Sequence, residues 1–244
     1  MVERRVCVIG AGRIGLPIAV CLANSGCKVA ILEIDEHKIS MINSGESPFH
    51  EPGMQEILEA TVNDGSLFAT SEEEIISDSN TIISAIGTGV DDSFNPDLTG
   101  IKSLVSLVGN RISKGALVLL KTTLPIGTTE VIARELSDIS GLKIDQDLLV
   151  AFSPERIVEG KAIEELGILP KIVGGVGGKS TERASEIMAL FGGEIIQVRD
   201  SRYAEMCKLL DNSYRMTRFG FSADVAAVCS MNGINAFEVI EAAN

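Results

Sequence analysis

The sequence predicts an α/β fold: a doubly wound parallel sheet over residues 1–199, followed by an all-α segment over 200–244. Three observations carry this. Apolar runs of strand length alternate with stretches of helical length, a glycine-rich turn joins the first strand to the first helix, and strand signals stop after "EIIQV" (194–198). Composition agrees, because 45% of the residues are apolar and only 4% aromatic, the Val-, Ile-, Leu- and Ala-rich makeup of strands covered by helices on both faces.

In chain order, "RRVCVIG" (4–10) is an apolar run of strand length, "LPIAVCLANSG" (16–26) has helical length and ends at a glycine, and "KVAILEID" (28–35) is again a strand. Further strands are predicted at "NTIISAIG" (80–87), "ALVLLKTT" (116–123), "DLLVAF" (147–152), "KIVGGV" (171–176) and "EIIQV" (194–198). Helical patterns fall around 52–62, 99–112, 128–137 and 180–191, which implies right-handed crossovers between parallel strands. From "DSRYAEMCKLL" (200–210) onward, helical periodicity takes over.

At 244 residues the chain forms one large domain or a domain and a half. A formal net charge of -13 argues against a nucleic-acid surface, since 21 Lys+Arg spread among 34 Asp+Glu supply no basic stripe. Any anionic ligand is therefore held locally, by backbone amides or a few placed cations. The five cysteines (Cys7, Cys21, Cys27, Cys207, Cys229) show no CxxC pairing and are expected to be reduced core thiols. No stretch approaches the roughly 20 apolar residues that span a bilayer, and the N-terminus runs from charge straight into a strand, so a cytoplasmic protein is expected.

The motif "GAGRIG" places Gly10, Gly12 and Gly15 between a strand and a helix. Gly10 permits the tight turn, Gly12 lets the backbone approach a pyrophosphate, and Gly15 lets the helix pack on the strand. Arg13 and Ile14 lie between them. Glu33, at the end of the second strand, is placed to accept hydrogen bonds from ribose hydroxyls and to repel a 2′-phosphate, which favours NAD over NADP. Lys38 is placed either to reach the adenosine side or to lie solvated on its helix. This is the pattern of a Rossmann NAD-binding domain; the plainer alternative is a sheet-packing glycine turn beside a solvated glutamate.

Beyond these points the sequence resembles the nucleotide-sugar 6-dehydrogenases, a family that includes UDP-glucose dehydrogenase and the UDP-N-acetylmannosamine and UDP-N-acetylglucosamine dehydrogenases. The resemblance runs over residues 5–244 and rests on "GAGRIGLPIAV", "INSGESPFHEPGM", "NPDLT", "KTTLPIGTTE", "SPERIVEG" and "EMCKLLDNSYR". Members oxidise the C6 alcohol of a nucleotide-linked sugar to a carboxylate in two hydride transfers to NAD, through a thiohemiacetal on a cysteine.

The resemblance implies roles. Thr88 and Thr123 match cofactor-site positions, and Thr123 also matches the threonine that orients a catalytic water or the reacting hydroxyl; a hydroxyl capping the next helix is its plainer reading. Glu155 would contact the cofactor or substrate region. Glu159 would act as base for the water that hydrolyses the thioester; two solvated acids in a loop is the plainer reading of Glu155 and Glu159. Lys208 and Asn212, one helical turn apart, would stabilise the developing oxyanion; taken without the other motifs, the spacing reads as a surface helix. Arg156 and "GKAIEELGILPKIVGG" look more like the N-acetylhexosamine branch than the glucose branch.

Departures from the family pattern are equally specific. "AIGTGVDDS" replaces a Pro-Thr-Pro turn, Ala223-Asp224 replaces Asn-Glu, the sequence stops at "EVIEAAN" before the family's nucleophile loop, roughly Gly-x-Gly-Gly-x-Cys, is expected to begin, and none of the five cysteines lies in such a context; the chain is expected to be part of a longer enzyme that binds NAD without completing the oxidation alone. The helix after residue 200 is expected to form a homodimer core; the plainer reading is that its apolar surface covers a further C-terminal domain. The competing readings are a non-catalytic NAD-binding module and a short β-hydroxyacid dehydrogenase, the latter disfavoured because "KTTLPIGTTE" and "SPERIVEG" do not resemble its substrate loop.

Overall fold

The computed structural model describes residues 4–90 and 95–243; positions 91–93 of the "AIGTGVDDS" turn and the terminal Asn244 lie outside them. The chain begins with β1 (Arg5–Ile9), α1 (Gly15–Asn24) and β2 (Lys28–Leu32), then α2 (Glu36–Asn43), α3 (Met54–Asn63) and β3 (Leu67–Thr70). There follow α4 (Ile75–Asp78), β4 (Thr81–Ser84), a small ladder of β5 (Gly89–Val90) and β6 (Pro96–Asp97), α5 (Thr99–Gly109), β7 (Ala116–Leu120) and α6 (Thr128–Ser140). The remainder is β8 (Leu148–Phe152), α7 (Ala162–Ile168), β9 (Lys171–Gly175), α8 (Gly178–Met188), a 3-10 turn (Ala189–Phe191), β10 (Ile195–Gln197), α9 (Ser201–Met231) and α10 (Ala236–Ala243).

Eight strands form one sheet in the order β10-β9-β8-β7-β4-β1-β2-β3. Alternation along each strand divides the interior into two cores. Val6, Val8, Leu117 and Leu119 face the layer of α1, α3, α7 and α8, while Cys7, Ile9, Val118 and Leu120 face the layer of α5 and α6. β1 lies between β2 and β4, in parallel register with both. The order of the strands therefore reverses at the carboxyl ends of β1 and β4, the place where an open α/β sheet offers a ligand crevice.

All seven expected strands are present, and the sheet is doubly wound. One feature corrects the expectation of a wholly parallel sheet: β9 pairs with β8 antiparallel, and β10 follows β9 in parallel. The reason lies in the connection. Between Phe152 and Lys171 the only helix is α7, seven residues long, about 10 Å, too short to carry the chain back across the sheet. The chain re-enters from the carboxyl edge and runs the other way. The strand β3 and the short elements α2, α4 and α7 were not expected, because four- to eight-residue elements leave little periodicity to read.

The chain divides into two compact units, residues 1–206 and 207–244, so the division falls within α9, a turn and a half past its start at Ser201. The second unit holds the rest of α9 and α10, and exposes Tyr214, Phe219, Phe221 and Phe237. Among the described residues no helix is long and apolar enough to cross a membrane, and no group of three or more His, Cys, Asp or Glu side chains is placed to hold a metal ion.

Candidate functional site

The glycine-rich loop sits at the reversal point of the sheet. Gly10 has φ +98°, a conformation L side chains rarely adopt, and its N–H donates to Leu32 O at 2.9 Å, which starts the turn out of β1. A Cβ on Gly15 would lie 1.9 Å from Gly10 O, so the first turn of α1 closes against β1 only with glycine there. Gly12 is different. Nothing lies within 4 Å of where its Cβ would be, so the backbone is open to an approaching group at the N-terminal end of a ten-residue helix.

Glu33 is buried, and its carboxylate joins this loop to the end of β2. Oε2 accepts the Ala11 N–H at 2.8 Å, and Oε1 accepts those of Ile34 and Asp35 at 2.9 and 3.2 Å. Lys38 Nζ stands 3.8 Å from Oε2. Burial acts to raise the Glu33 pKa, but the three N–H groups and Lys38 outweigh it and hold the carboxyl below its ordinary range. Asp35 then caps α2 by accepting from His37 and Lys38 N–H, which fixes where Lys38 starts.

Arg13, Phe49 and Glu159 converge beside Gly12. Arg13 Nη1 is 2.5 Å from Glu159 Oε1, and the guanidinium carbon lies 5.1 Å from the centre of the Phe49 ring. The loops carrying Phe49 and Glu159 are tied together by Glu51, a buried carboxylate that accepts Gly160 N–H at 3.0 Å and Ala162 N–H at 2.8 Å. Glu51 lies in "SPFHEPG" but was not singled out in the sequence. Its partners are more than a hundred residues away, and no local pattern announces them.

Thr88 and Thr123 meet across the carboxyl ends of β4 and β7, where Thr88 Oγ1 donates to Thr123 O at 2.6 Å. The loop after Thr123 is held by Glu205, fully buried in the first turns of α9. Its carboxylate accepts Gly127 N–H at 2.6 Å, Thr129 N–H at 2.7 Å and Thr129 Oγ1–H at 2.6 Å, so an acid from a distant helix caps α6. Nothing in the sequence pointed to Glu205 either.

Glu155 follows β8 and turns inward. Its Oε2 is 3.2 Å from Lys121 Nζ, both side chains being almost fully buried, and its Oε1 accepts the N–H groups of Arg156 and Ile157. Burial acts to raise the Glu155 pKa; the Lys121 ammonium and the two N–H groups outweigh it and hold the carboxyl low. Lys171 stands near this pair with its ammonium donating to Leu169 O, and burial pulls its pKa down despite Glu155. Arg156 donates to Pro170 O, so it too is tied to the start of β9. Lys121 was not among the expected site residues, although it opens "KTTLPIGTTE" at the end of a fully buried strand.

Lys208 and Asn212 stand one turn apart on the part of α9 that belongs to the second unit. All five cysteines are free thiols. Burial pushes Cys7 up to about 12 and Cys21 up to about 11, Cys21 with a further push from Glu155, and it raises Cys27 as well.

The sequence pattern of the UDP-glucose/GDP-mannose dehydrogenase family matches this chain twice, its NAD binding domain over residues 4–192 and its central domain over residues 202–244. The chain belongs to the UDP-glucose/GDP-mannose dehydrogenase family. It is 34% identical over 240 residues to the UDP-N-acetyl-D-mannosamine dehydrogenase of Pyrococcus horikoshii, covering 98% of this chain and 57% of that protein. It is also 34% identical to the NDP-N-acetyl-D-galactosaminuronic acid dehydrogenase of Ralstonia nicotianae, covering 99% and 58%.

Solved structures agree. The Pyrococcus horikoshii UDP-N-acetylmannosamine dehydrogenase superposes with a TM-score of 0.94 at 34% identity, covering 98% of this chain and 57% of that one. A GDP-mannose dehydrogenase from Pseudomonas aeruginosa gives 0.92 at 25% identity, covering 98% and 56%. This family member thus spans somewhat more than half the length of those relatives. The glycine-rich loop, Glu33 and the open face of Gly12 all lie inside the part that the family's NAD binding domain matches.

Proposed function

We propose that this chain is the dinucleotide-binding part of a nucleotide-sugar dehydrogenase that oxidises the C6 alcohol of a UDP-sugar to the uronate with NAD, favouring a UDP-N-acetylhexosamine over UDP-glucose. One observation carries the reading: the buried Glu33 carboxylate is folded onto Ala11 N–H, beside open space over Gly12. Gly12 would admit the pyrophosphate against backbone N–H groups, Glu33 would take the ribose hydroxyls, and its fixed charge would oppose a 2′-phosphate. Lys38 would border the adenosine side. When bound, NAD supplies the hydride acceptor.

The remaining roles follow the family resemblance. Thr123, with Thr88 holding its backbone, would orient the reacting hydroxyl or a water, and Glu159 would serve as base for that water. Glu155 would act at the border of the cofactor region, its charge neutralised from behind by Lys121. Lys208 and Asn212 would stabilise an oxyanion. Preference for an N-acetylhexosamine is supported by Arg156 and by the names of the relatives. Homodimerisation through α9 is supported by the exposed Tyr214, Phe219 and Phe221. Cys7, Cys21 and Cys27 are not ready nucleophiles, because burial suppresses their thiolates, so the chain would bind NAD without completing the oxidation on any of these three thiols.

The reading is tested by titrating the chain with NADH and NADPH and following cofactor fluorescence, which no tryptophan obscures because the sequence has none. Saturable NADH binding with much weaker NADPH binding is expected. Equal affinity for the two would remove the role given to Glu33. For the activity, a chain extended to the length of the relatives should reduce NAD with a UDP-N-acetylhexosamine; persistent inactivity with every UDP-sugar would favour a non-catalytic NAD-binding module.

A further inference from the structure

This inference rests on the dinucleotide reading above and concerns Arg13. Its guanidinium is paired with Glu159 and lies over Phe49, one residue from the open backbone at Gly12. Both partners are held from behind. Phe49 packs against the core on the α1 side of the sheet, together with Ile157 and Ile163, and Glu51 fixes Gly160 and Ala162 next to Glu159. The pair itself faces solvent, with side-chain exposures of 52% for Arg13 and 61% for Glu159. It is a weak contact in a rigid frame.

We propose that Arg13 is a counter-ion shared between Glu159 and the pyrophosphate of the dinucleotide, so that a dinucleotide docking over Gly12 draws the guanidinium away and releases the Glu159 carboxylate. A guanidinium fork matches phosphate oxygens bidentately, and a solvent-facing single contact to a carboxylate is readily exchanged for it. The exchange fixes a sign. Glu159 and the dinucleotide compete for one cation, so each weakens the other's hold on it, and the coupling is reciprocal. Release on docking would leave Glu159 with a less compensated charge, the state suited to a base.

The test is the affinity for NADH, with displacement by ADP-ribose and with adenosine as a probe that lacks the pyrophosphate. It is measured on the parent chain, Glu159→Gln, Arg13→Gln and the double variant, with circular dichroism confirming the fold of each. Glu159→Gln is expected to bind NADH and ADP-ribose about two- to fivefold more tightly, as loss of an exposed ion pair allows. Arg13→Gln is expected to bind them about fivefold or more weakly, and the double variant should match Arg13→Gln.

Adenosine binding should not move. An unchanged or weaker Glu159→Gln overturns the proposal, as does a gain that persists in the double variant, which would mean that Glu159 repels the ligand without Arg13. A folded parent that binds no NADH overturns the dinucleotide reading itself. A parent that binds while the four affinities are independent overturns only the sharing of Arg13.

Discussion

Replacing Lys121 with methionine should destabilise the protein in a way that depends on pH. Methionine has a similar volume to the lysine stem and can keep the packing against Met188, so no cavity is created; the ammonium 3.2 Å from Glu155 is lost. Removing one partner of a buried ion pair costs about 3–5 kcal/mol. Here the carboxylate keeps the Arg156 and Ile157 N–H groups and has Lys171 nearby, which puts the expected loss near the lower end, about 3 kcal/mol at pH 7.5. In the parent the folded Glu155 pKa lies below the ordinary 4.5, so its contribution is fully present above that value and is lost only as pH falls through the folded value.

In Lys121→Met, burial prevails and the folded pKa rises above the unfolded one. Stability from this group is then lost as pH climbs past 4.5, and lowering the pH from 7.5 to 5 lets the carboxyl protonate and recovers part of it. The gap between parent and variant should therefore be smaller at pH 5 than at pH 7.5. Urea unfolding followed by far-ultraviolet circular dichroism at the two pH values measures it. A gap of the same size at both would show that Lys121 acts through packing and not through charge. Adding Glu155→Gln to Lys121→Met should restore most of the loss at pH 7.5.

Three further outcomes are expected. Gly15→Ala should lower the melting temperature sharply, since its Cβ would sit 1.9 Å from Gly10 O, whereas Gly12→Ala should leave the melting temperature unchanged and weaken NADH binding, because its Cβ enters open space. Glu205→Ala should cost about 2–4 kcal/mol in urea unfolding, leaving the N–H groups of Gly127 and Thr129 without their acceptor, with Glu205→Gln less damaging. Cys7, Cys21 and Cys27 should resist a thiol reagent in the native state and react on unfolding; at a pKa of about 11, Cys21 is thiolate only to about one part in a thousand at pH 8, and rapid labelling of it would contradict the burial that raises it.

The sheet and the glycine loop were legible because their signals are local. A buried five-residue strand such as Ala116–Leu120 is apolar at every position, and "GAGRIG" places its three glycines within six residues, so neither needs a distant partner to be recognised. The reversal of β9 was not legible, since "KIVGGV" reads the same in either direction and its sense depends on how far α7 carries the chain. Glu51, Lys121 and Glu205 were missed for a related reason. Each is an ordinary charged residue until Gly160, Glu155 and Thr129 are brought to it, and no periodicity encodes those meetings.

Those distant carboxylates share a physical logic. Glu33, Glu51, Glu155 and Glu205 are all buried, and each accepts at least two backbone N–H groups from loops that leave the carboxyl edge of the sheet or pack beside it. Such bonds hold the edge loops in place while keeping four of the acidic groups out of solvent, where N–H dipoles compensate their charge. A chain of net charge -13 can in this way present a site to an anionic ligand. The Glu33 charge is compensated by Ala11, Ile34 and Asp35 and the Glu155 charge by Lys121, while the guanidinium of Arg13 stands beside the open backbone of Gly12, over the Phe49 ring and paired with the exchangeable Glu159 carboxylate. On that order, taking the Lys121 ammonium away from Glu155 should weaken NADH binding less at pH 5, where the carboxyl is protonated, than at pH 7.5, in step with the stability recovered there.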